Sequence, residues 1–251
     1  MNPRAPFQGM LSIFRFNWPI YLSAGIVLLV AMAGAFFAGP LWLKGGAAAA
    51  AAGAGYFIFV SLGVSYLVYD RSDLYRWSWC GRALSGKQTR HIVICHSGFD
   101  EVSEALSGKL SPERVTILDH YDPALMTEPS IHRARKLCPP TPATLAAPFD
   151  HWPLEDETAD VIFGLLAIHE LRSVAERSRW FAEARRCLKP GGRIVMAEHL
   201  RDPANFVAFG PGFLHFHSAA SWRKCWENAG LRRNDDFALT PWVRFFVIVP
   251  P

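Results

Sequence analysis

Two long apolar runs open the chain, and short apolar strands alternating with mixed-polarity helices fill the rest. From Trp18 to Leu43 no side chain is charged, and a second uncharged run extends from Gly45 to Tyr69. A bilayer core needs about 20 apolar residues per helix, so each run is long enough to span one. The first is too long for the apolar stretch of a cleaved signal peptide. Gly39-Pro40 and Lys44-Gly45-Gly46 leave room only for a tight turn, which predicts an antiparallel hairpin over residues 17–69. Gly25, Ala31, Gly34 and Ala38 offer a small-residue face to the Ala47–Ala54 stretch, the composition that lets apolar helices approach closely.

Beyond residue 88 the period changes. Residues 91–95 (HIVIC), 115–118 (VTIL), 160–167 (DVIFGLLA), 193–197 (RIVMA) and 243–249 read as strands. Helical patterns fall over 101–110, 131–137, 176–188 and 221–229. The third carries Trp180, Phe181, Ala184 and Leu188 at core spacing and stops at Lys189-Pro190-Gly191-Gly192, a basic last turn followed by breakers. Such alternation predicts an α/β fold, a mainly parallel sheet with helices on both faces. Residues 1–16 are an N-terminal segment. Residues 70–88, with Tyr75, Trp77 and Trp79 among arginines, form a linker whose amphipathic rings suit a membrane interface.

Charge adds orientation. Residues 1–85 hold six Lys/Arg and two Asp/Glu, which from totals of 26 and 22 leaves twenty of each sign for the remainder. A balanced domain lacks the cationic face that nucleic acid demands. The cations flank the apolar runs: Arg4 and Arg15 before, Arg71 to Arg90 after, only Lys44 between. By the positive-inside rule both termini and the domain lie on the cytoplasmic side of the inner membrane. Five scattered cysteines without a C-x-x-C pair read as reduced thiols.

The chemistry gathers after the strands. In an open parallel sheet ligands bind beyond the carboxyl ends. His169-Glu170 follows one strand there and Glu198-His199 the next, with His215 and His217 further on among Phe206, Phe209, Phe213 and Phe216. Three readings stand open. In the first, His169 or His199 is the general base of an acceptor pocket walled by the phenylalanines. In the second, His169, Glu170, Glu198, His199 and His215 ligate a metal. In the third, ion pairs such as Glu170 with Arg201 hold the loops. Adjacent His-Glu pairs lack the spacing of a helical H-E-x-x-H motif, so no metal is expected.

Residues 152–198 resemble the middle of a class I S-adenosylmethionine-dependent methyltransferase of the type 11 group, which includes ubiquinone and menaquinone biosynthesis enzymes. Pro153 to Asp160 (PLEDETAD), Ile162 to Leu171 (IFGLLAIHEL) and Glu183 to Arg193 (EARRCLKPGGR) carry the likeness. It implies a Rossmann-like methyltransferase domain over 89–251, with residues 232–250 as the antiparallel strand pair closing the sheet. It also implies S-adenosylmethionine as cofactor, held by His96, Ser97 and Gly98 after the first strand. Asp119, beside His120, would take the ribose hydroxyls, and Asp150 the adenine. The glycine loop departs from the family pattern: His96 and Asp100 stand at the outer glycine positions, and the usual acid is Ile94. The expectation is a membrane-anchored methyltransferase acting on a small apolar acceptor of lipid or quinone type, with self-association left open. The alternative is an inactive methyltransferase-fold scaffold at the membrane.

Overall fold

Strands buried on both faces need runs of β-branched and aromatic residues, and the second part of the chain supplies them. The computed structural model describes residues 4–87 and 89–251. Strands β1 (His91–His96), β2 (Arg114–Asp119), β3 (Thr144–Ala146), β4 (Ala159–Leu165), β5 (Leu188–His199), β6 (Arg232–Thr240) and β7 (Val243–Val249) form one sheet in the order β3-β2-β1-β4-β5-β7-β6. The first five are parallel; β7 runs antiparallel between β5 and β6. Chain order reverses between β1 and β4, so a crevice is due beyond their carboxyl ends.

Helices α5 (Ser103–Leu110), α6 (Pro129–Leu137), α7 (Val174–Cys187) and α9 (Ala219–Asn228) pack beside the sheet. On one face Trp180, Phe181, Trp222 and Trp226 meet Val93, Ile162 and Ile194. On the other, Leu106, Trp79 and Ala83 cover Ile92, Ile94, Phe163 and Phe245. A capping box starts α7: Ser173 accepts the Glu176 N–H while Glu176 accepts the Ser173 N–H. The sequence places a break at Lys189 to Gly192, but the ladder pairs Leu188 with Ala159 and resumes at Arg193 with Val161. The Pro-Gly-Gly is therefore a bulge inside β5. Gly191 has φ +76, and a Cβ on Gly192 would stand 2.9 Å from the Asp160 carbonyl oxygen.

The N-terminal part is three helices. Amphipathic α1 (Gln8–Phe16) leads directly into α2 (Trp18–Phe37), and α3 (Leu41–Tyr66) runs on into a π-helical turn, Leu67–Arg71. The Asp70 carboxylate accepts the Gly9 and Met10 N–H groups at 2.8 and 2.9 Å, tying the start of α1 to that turn. α2 and α3 pack antiparallel, with Tyr21 Oη 3.3 Å from Ser61 Oγ and a Cβ on Gly34 3.3 Å from the Ala47 methyl. Gly25 and Gly53 have no such neighbour within 4 Å, so only part of the expected small-residue face is used. Both helices are long and apolar enough to cross a membrane: Trp18–Phe37 at mean hydropathy 2.3, and Leu41–Arg71 at 1.8.

The linker departs from its expected interfacial role. Trp77 and Trp79 are 5 % and 3 % exposed. Trp79 packs on Phe245 at 4.6 Å between ring centres and donates its Nε1–H to the Leu74 carbonyl at 2.9 Å. An indole whose one donor is satisfied gains more from a packed core than from a surface. Together with helix α4 (Cys80–Leu84), these residues are part of the domain. The stretch after β5, expected as a loop, is helix α8 (Pro203–Phe209) and a 3-10 segment, Gly210–His215.

Candidate functional site

Two groups of buried polar side chains flank the reversal point. The first sits at the ends of β1 and β2. Gly98, at φ +89, turns the chain out of β1, and Asp100 accepts the Val102 and Ser103 N–H groups, capping α5 from an outer-glycine position of the family pattern. Asp119 Oδ1 accepts the Gly98 N–H at 2.8 Å and the Tyr121 N–H at 3.1 Å, while Oδ2 takes the Arg135 guanidinium. The Tyr121 ring lies against Gly98, where an added Cβ would meet it at 2.8 Å, and Arg135 stacks on that ring at 4.4 Å. Asp150 pairs with Arg179 at 2.8 Å. Tyr121 and Arg135 carry no motif and escape sequence reasoning.

Several buried atoms here lack a hydrogen-bond partner among the described residues: both ring nitrogens of His96, Ser97 Oγ, Ser103 Oγ and His120 Nε2. Leaving such a group unpaired costs about 1–3 kcal/mol, so a cluster of them marks a place built for something else. His120 donates Nδ1–H to the Ala147 carbonyl at 3.0 Å and stacks on Trp152. Burial pushes its pKa down to about 4. The ring is therefore neutral, with its Nε2 lone pair available to a donor. Burial likewise lowers the pKa of His96.

The second group lies past β4 and β5. Glu198, fully buried, accepts the Ile168 N–H at 3.0 Å, the His169 N–H at 3.3 Å and His169 Nδ1–H at 2.7 Å. It fixes the short turn Ile168–Glu170 and the tautomer of His169 together. Burial by itself lowers the His169 pKa, but the Glu198 and Glu170 carboxylates outweigh it and the net shift is upward. Glu170 Oε1 stands 3.5 Å from His169 Nε2 and 3.6 Å from His215 Nε2. Burial raises the Glu170 pKa and the two histidines and Arg172 overcome it, leaving it lowered.

His199 is differently placed. Its Nε2 accepts the Tyr69 hydroxyl at 2.8 Å, its Nδ1 faces the Trp242 carbonyl at 2.9 Å, and its ring stacks on Phe216. Burial takes its pKa down to about 4. With both nitrogens engaged it joins the apolar helices to the end of β5. Arg201 reaches the carbonyls of Leu214 and Phe216 rather than Glu170. A buried arginine, Arg177, ties the layer behind by donating to the Leu171 and Arg172 carbonyls, His217 Nε2 and Ser221 Oγ. Its position on the same helical stripe as Trp180, Phe181 and Ala184 is a signal the sequence offers, an arginine where the core repeat asks for an apolar residue. Cavities open elsewhere: about 410 Å³ between Arg4, Tyr66, Tyr69 and Tyr75 at the foot of α3, and about 700 Å³ among Asp156, Arg186 and Asn228, remote from the strand ends.

A family model described as a methyltransferase domain matches residues 97–196. Comparison with curated protein sequences finds no match. Among solved structures, an S-adenosylmethionine-dependent methyltransferase from Aquifex aeolicus superposes at TM-score 0.53 and 17 % identity, covering 72 % of this chain and 94 % of that one. A Haloferax volcanii chain, from a complex of a methyltransferase with its Trm112 activator, gives 0.51 and 18 %, with 70 % and 89 % covered. A Pyrococcus horikoshii protein gives 0.50 and 14 %, with 74 % and 98 % covered. The fold is the Rossmann-like methyltransferase fold, preceded by two apolar helices.

Proposed function

We propose that this chain is an S-adenosylmethionine-dependent methyltransferase, held at the cytoplasmic face of the inner membrane by α2 and α3, that acts on a small apolar acceptor of lipid or quinone type. The observation that carries it is the cluster of unpartnered buried atoms on His96, Ser97 and His120 at the switch point of a methyltransferase sheet. Those residues fit the cofactor. His120 Nε2 can accept from an amine or hydroxyl, Ser97 Oγ can donate or accept, and the carbon edges of His120 and Trp152 are apolar. Asp119 keeps a free lone pair on Oδ2 for a ribose hydroxyl beside Arg135. Bound there, the cofactor supplies an electrophilic methyl on a sulfonium.

The residues of the second group ready the acceptor. His169, oriented by Glu198, and Glu170 are placed to draw the proton from an acceptor hydroxyl, while Phe209 and Phe216 wall off water. Holding the two reactants in line in a dry site supplies most of such a rate enhancement. The membrane reading is supported by the apolar windows of α2 and α3, only 11 % buried against the protein. Phe206, Val207 and Leu214 add exposed apolar surface. Tyr56 of α3 donates to the Val207 carbonyl at 2.7 Å, which sets that surface beside the helices. An acceptor dissolved in the bilayer would enter there.

One observation favours the scaffold reading. Tyr121 covers the face of Gly98, and Arg135 occupies part of Asp119. Under the enzyme reading, Tyr121 gives way to admit the cofactor while Arg135 stays beside Asp119. Calorimetry of the full chain in detergent with S-adenosylhomocysteine decides between them. Binding in the micromolar range, tightened in Tyr121→Ala, is expected; no heat at millimolar ligand with either protein, both folded, leaves only a tethered scaffold.

A further inference from the structure

We propose that His169 Nε2, Glu170 and His215 Nε2 together hold a divalent transition-metal ion of the zinc class, with Glu198 as the outer carboxylate that orients His169. Binding of the ion stands on this cluster alone; its use in catalysis rests on the methyltransferase reading.

The contacts among the three groups are wrong for hydrogen bonds and right for a shared ion. Glu198 accepts the Nδ1–H of His169 at 2.7 Å, so an ion that displaces the other ring proton meets Nε2. That nitrogen stands 3.5 Å from Glu170 Oε1, and His215 Nε2 stands 3.6 Å from the same oxygen. Charge-assisted N–H···O bonds run at about 2.7–2.9 Å. Ligands about 2.0–2.2 Å from a tetrahedral ion stand roughly 3.3–3.6 Å apart. Ligand atoms from the three residues lie within 4.8 Å of one another, so a small closure of the third side completes the set.

The surroundings are those of a metal ligand set. A ligating histidine commonly gives its other N–H to a carboxylate, which fixes the ring and raises its basicity. Glu198 does this for His169; the Nδ1 of His215 is faced by the Arg172 guanidinium at 3.4 Å and by Glu128 at 3.8 Å. Arg172 donates to the His169 and His215 carbonyls at 3.2 and 2.6 Å, clamping two ligand-bearing segments together without pairing with Glu170. Side-chain exposures of 12, 13 and 27 % for His169, Glu170 and His215 leave the site sheltered yet reachable. Two imidazoles and one carboxylate select zinc and its neighbours over magnesium or calcium, which prefer all-oxygen shells.

Three protein ligands leave an open position. An acceptor hydroxyl bound there loses its proton more readily. With His169 Nε2 and Glu170 Oε1 on the ion, the proton-accepting role passes from His169 to Glu170 Oε2, which is buried and without a hydrogen-bond partner among the described residues. The site thus favours acceptors bearing a hydroxyl over purely hydrocarbon or amine ones.

The test uses the full chain in detergent, without a polyhistidine tag, stripped with chelator and titrated with zinc. One ion per chain is expected by elemental analysis, with a rise in melting temperature. Glu170→Gln and His215→Ala should each weaken binding at least 100-fold, and Glu198→Gln, which keeps the shape of the side chain, about 10–100-fold. Cys138→Ser, removing an exposed thiol, should change nothing. Equal zinc uptake by wild type and a Glu170→Gln/His215→Ala double variant, or no ion retained by wild type at micromolar zinc, overturns the proposal. Separate titration with S-adenosylhomocysteine distinguishes the two readings: zinc bound without it sinks only the methyltransferase, and the converse sinks only the metal site.

Discussion

His120 should make the fold measurably acid-sensitive. Its ring is buried, its Nδ1–H is held by the Ala147 carbonyl, and burial brings its pKa to about 4 from the ordinary 6.5, against weaker opposing pulls from Asp119 and Asp150. A group whose folded pKa is depressed by burial of its neutral form takes up protons in the unfolded chain first. Stability is therefore full above about pH 6.5 and falls with pH until about 4, below which both states are protonated and the loss levels off. At 1.36 kcal/mol per pKa unit, the whole fall is about 3 kcal/mol, of which about 2 kcal/mol is spent between pH 7.5 and 5. For a domain of this size that is about 4–8 °C of melting temperature. The comparison is between wild type and His120→Phe, both full length in detergent, melted at pH 7.5 and 5.0 by tryptophan fluorescence. Losing the bond to Ala147 lowers the variant's stability at both pH values, so the quantity read is the drop on acidification. It should be smaller in the variant by those few degrees. An equal drop in both proteins refutes the assignment of a neutral, buried His120.

Four further outcomes follow from packing. Trp79→Ala should cost about 3–5 kcal/mol, as for other large core truncations, and a chain beginning at Thr89 should fail to fold where one beginning at Ser72 folds, judged by a cooperative melt and near-ultraviolet circular dichroism. Arg177→Met strips partners from two carbonyls, His217 Nε2 and Ser221 Oγ; about 3 kcal/mol should be lost, read from urea midpoints at constant slope. Gly34→Leu forces a side chain into a gap where even a Cβ comes within 3.3 Å of Ala47, so a disulfide engineered between the two apolar helices nearby should form several-fold more slowly than in wild type.

The sheet was legible because each central strand is a short β-branched run bounded by breakers, and a strand buried on both faces has little freedom to be anything else. β3 was not, since three residues in a proline-rich passage at an exposed edge carry no period. Nor was α8, where Phe206 and Val207 point outward and blur the core repeat. For the candidate site, the rule that ligands gather past the strand ends was enough to bring His169, Glu170, Glu198 and His215 into one neighbourhood. Which of the histidines keeps a free nitrogen was beyond reach, because that turns on distant partners: Glu198 from the next strand locks His169, whereas Tyr69, 130 positions earlier in the chain, takes up His199. The same contact has a physical consequence. Tyr69 belongs to the turn that ends α3, and that turn also anchors α1 through Asp70, while α1 lies against Phe99 of the first loop and against α6 through the Phe16 carbonyl. The apolar helices are thus built into both halves of the crevice, reaching the end of β5 through Tyr69 and the loop after β1 through α1. A flexible tether between these helices and the domain would need none of these contacts.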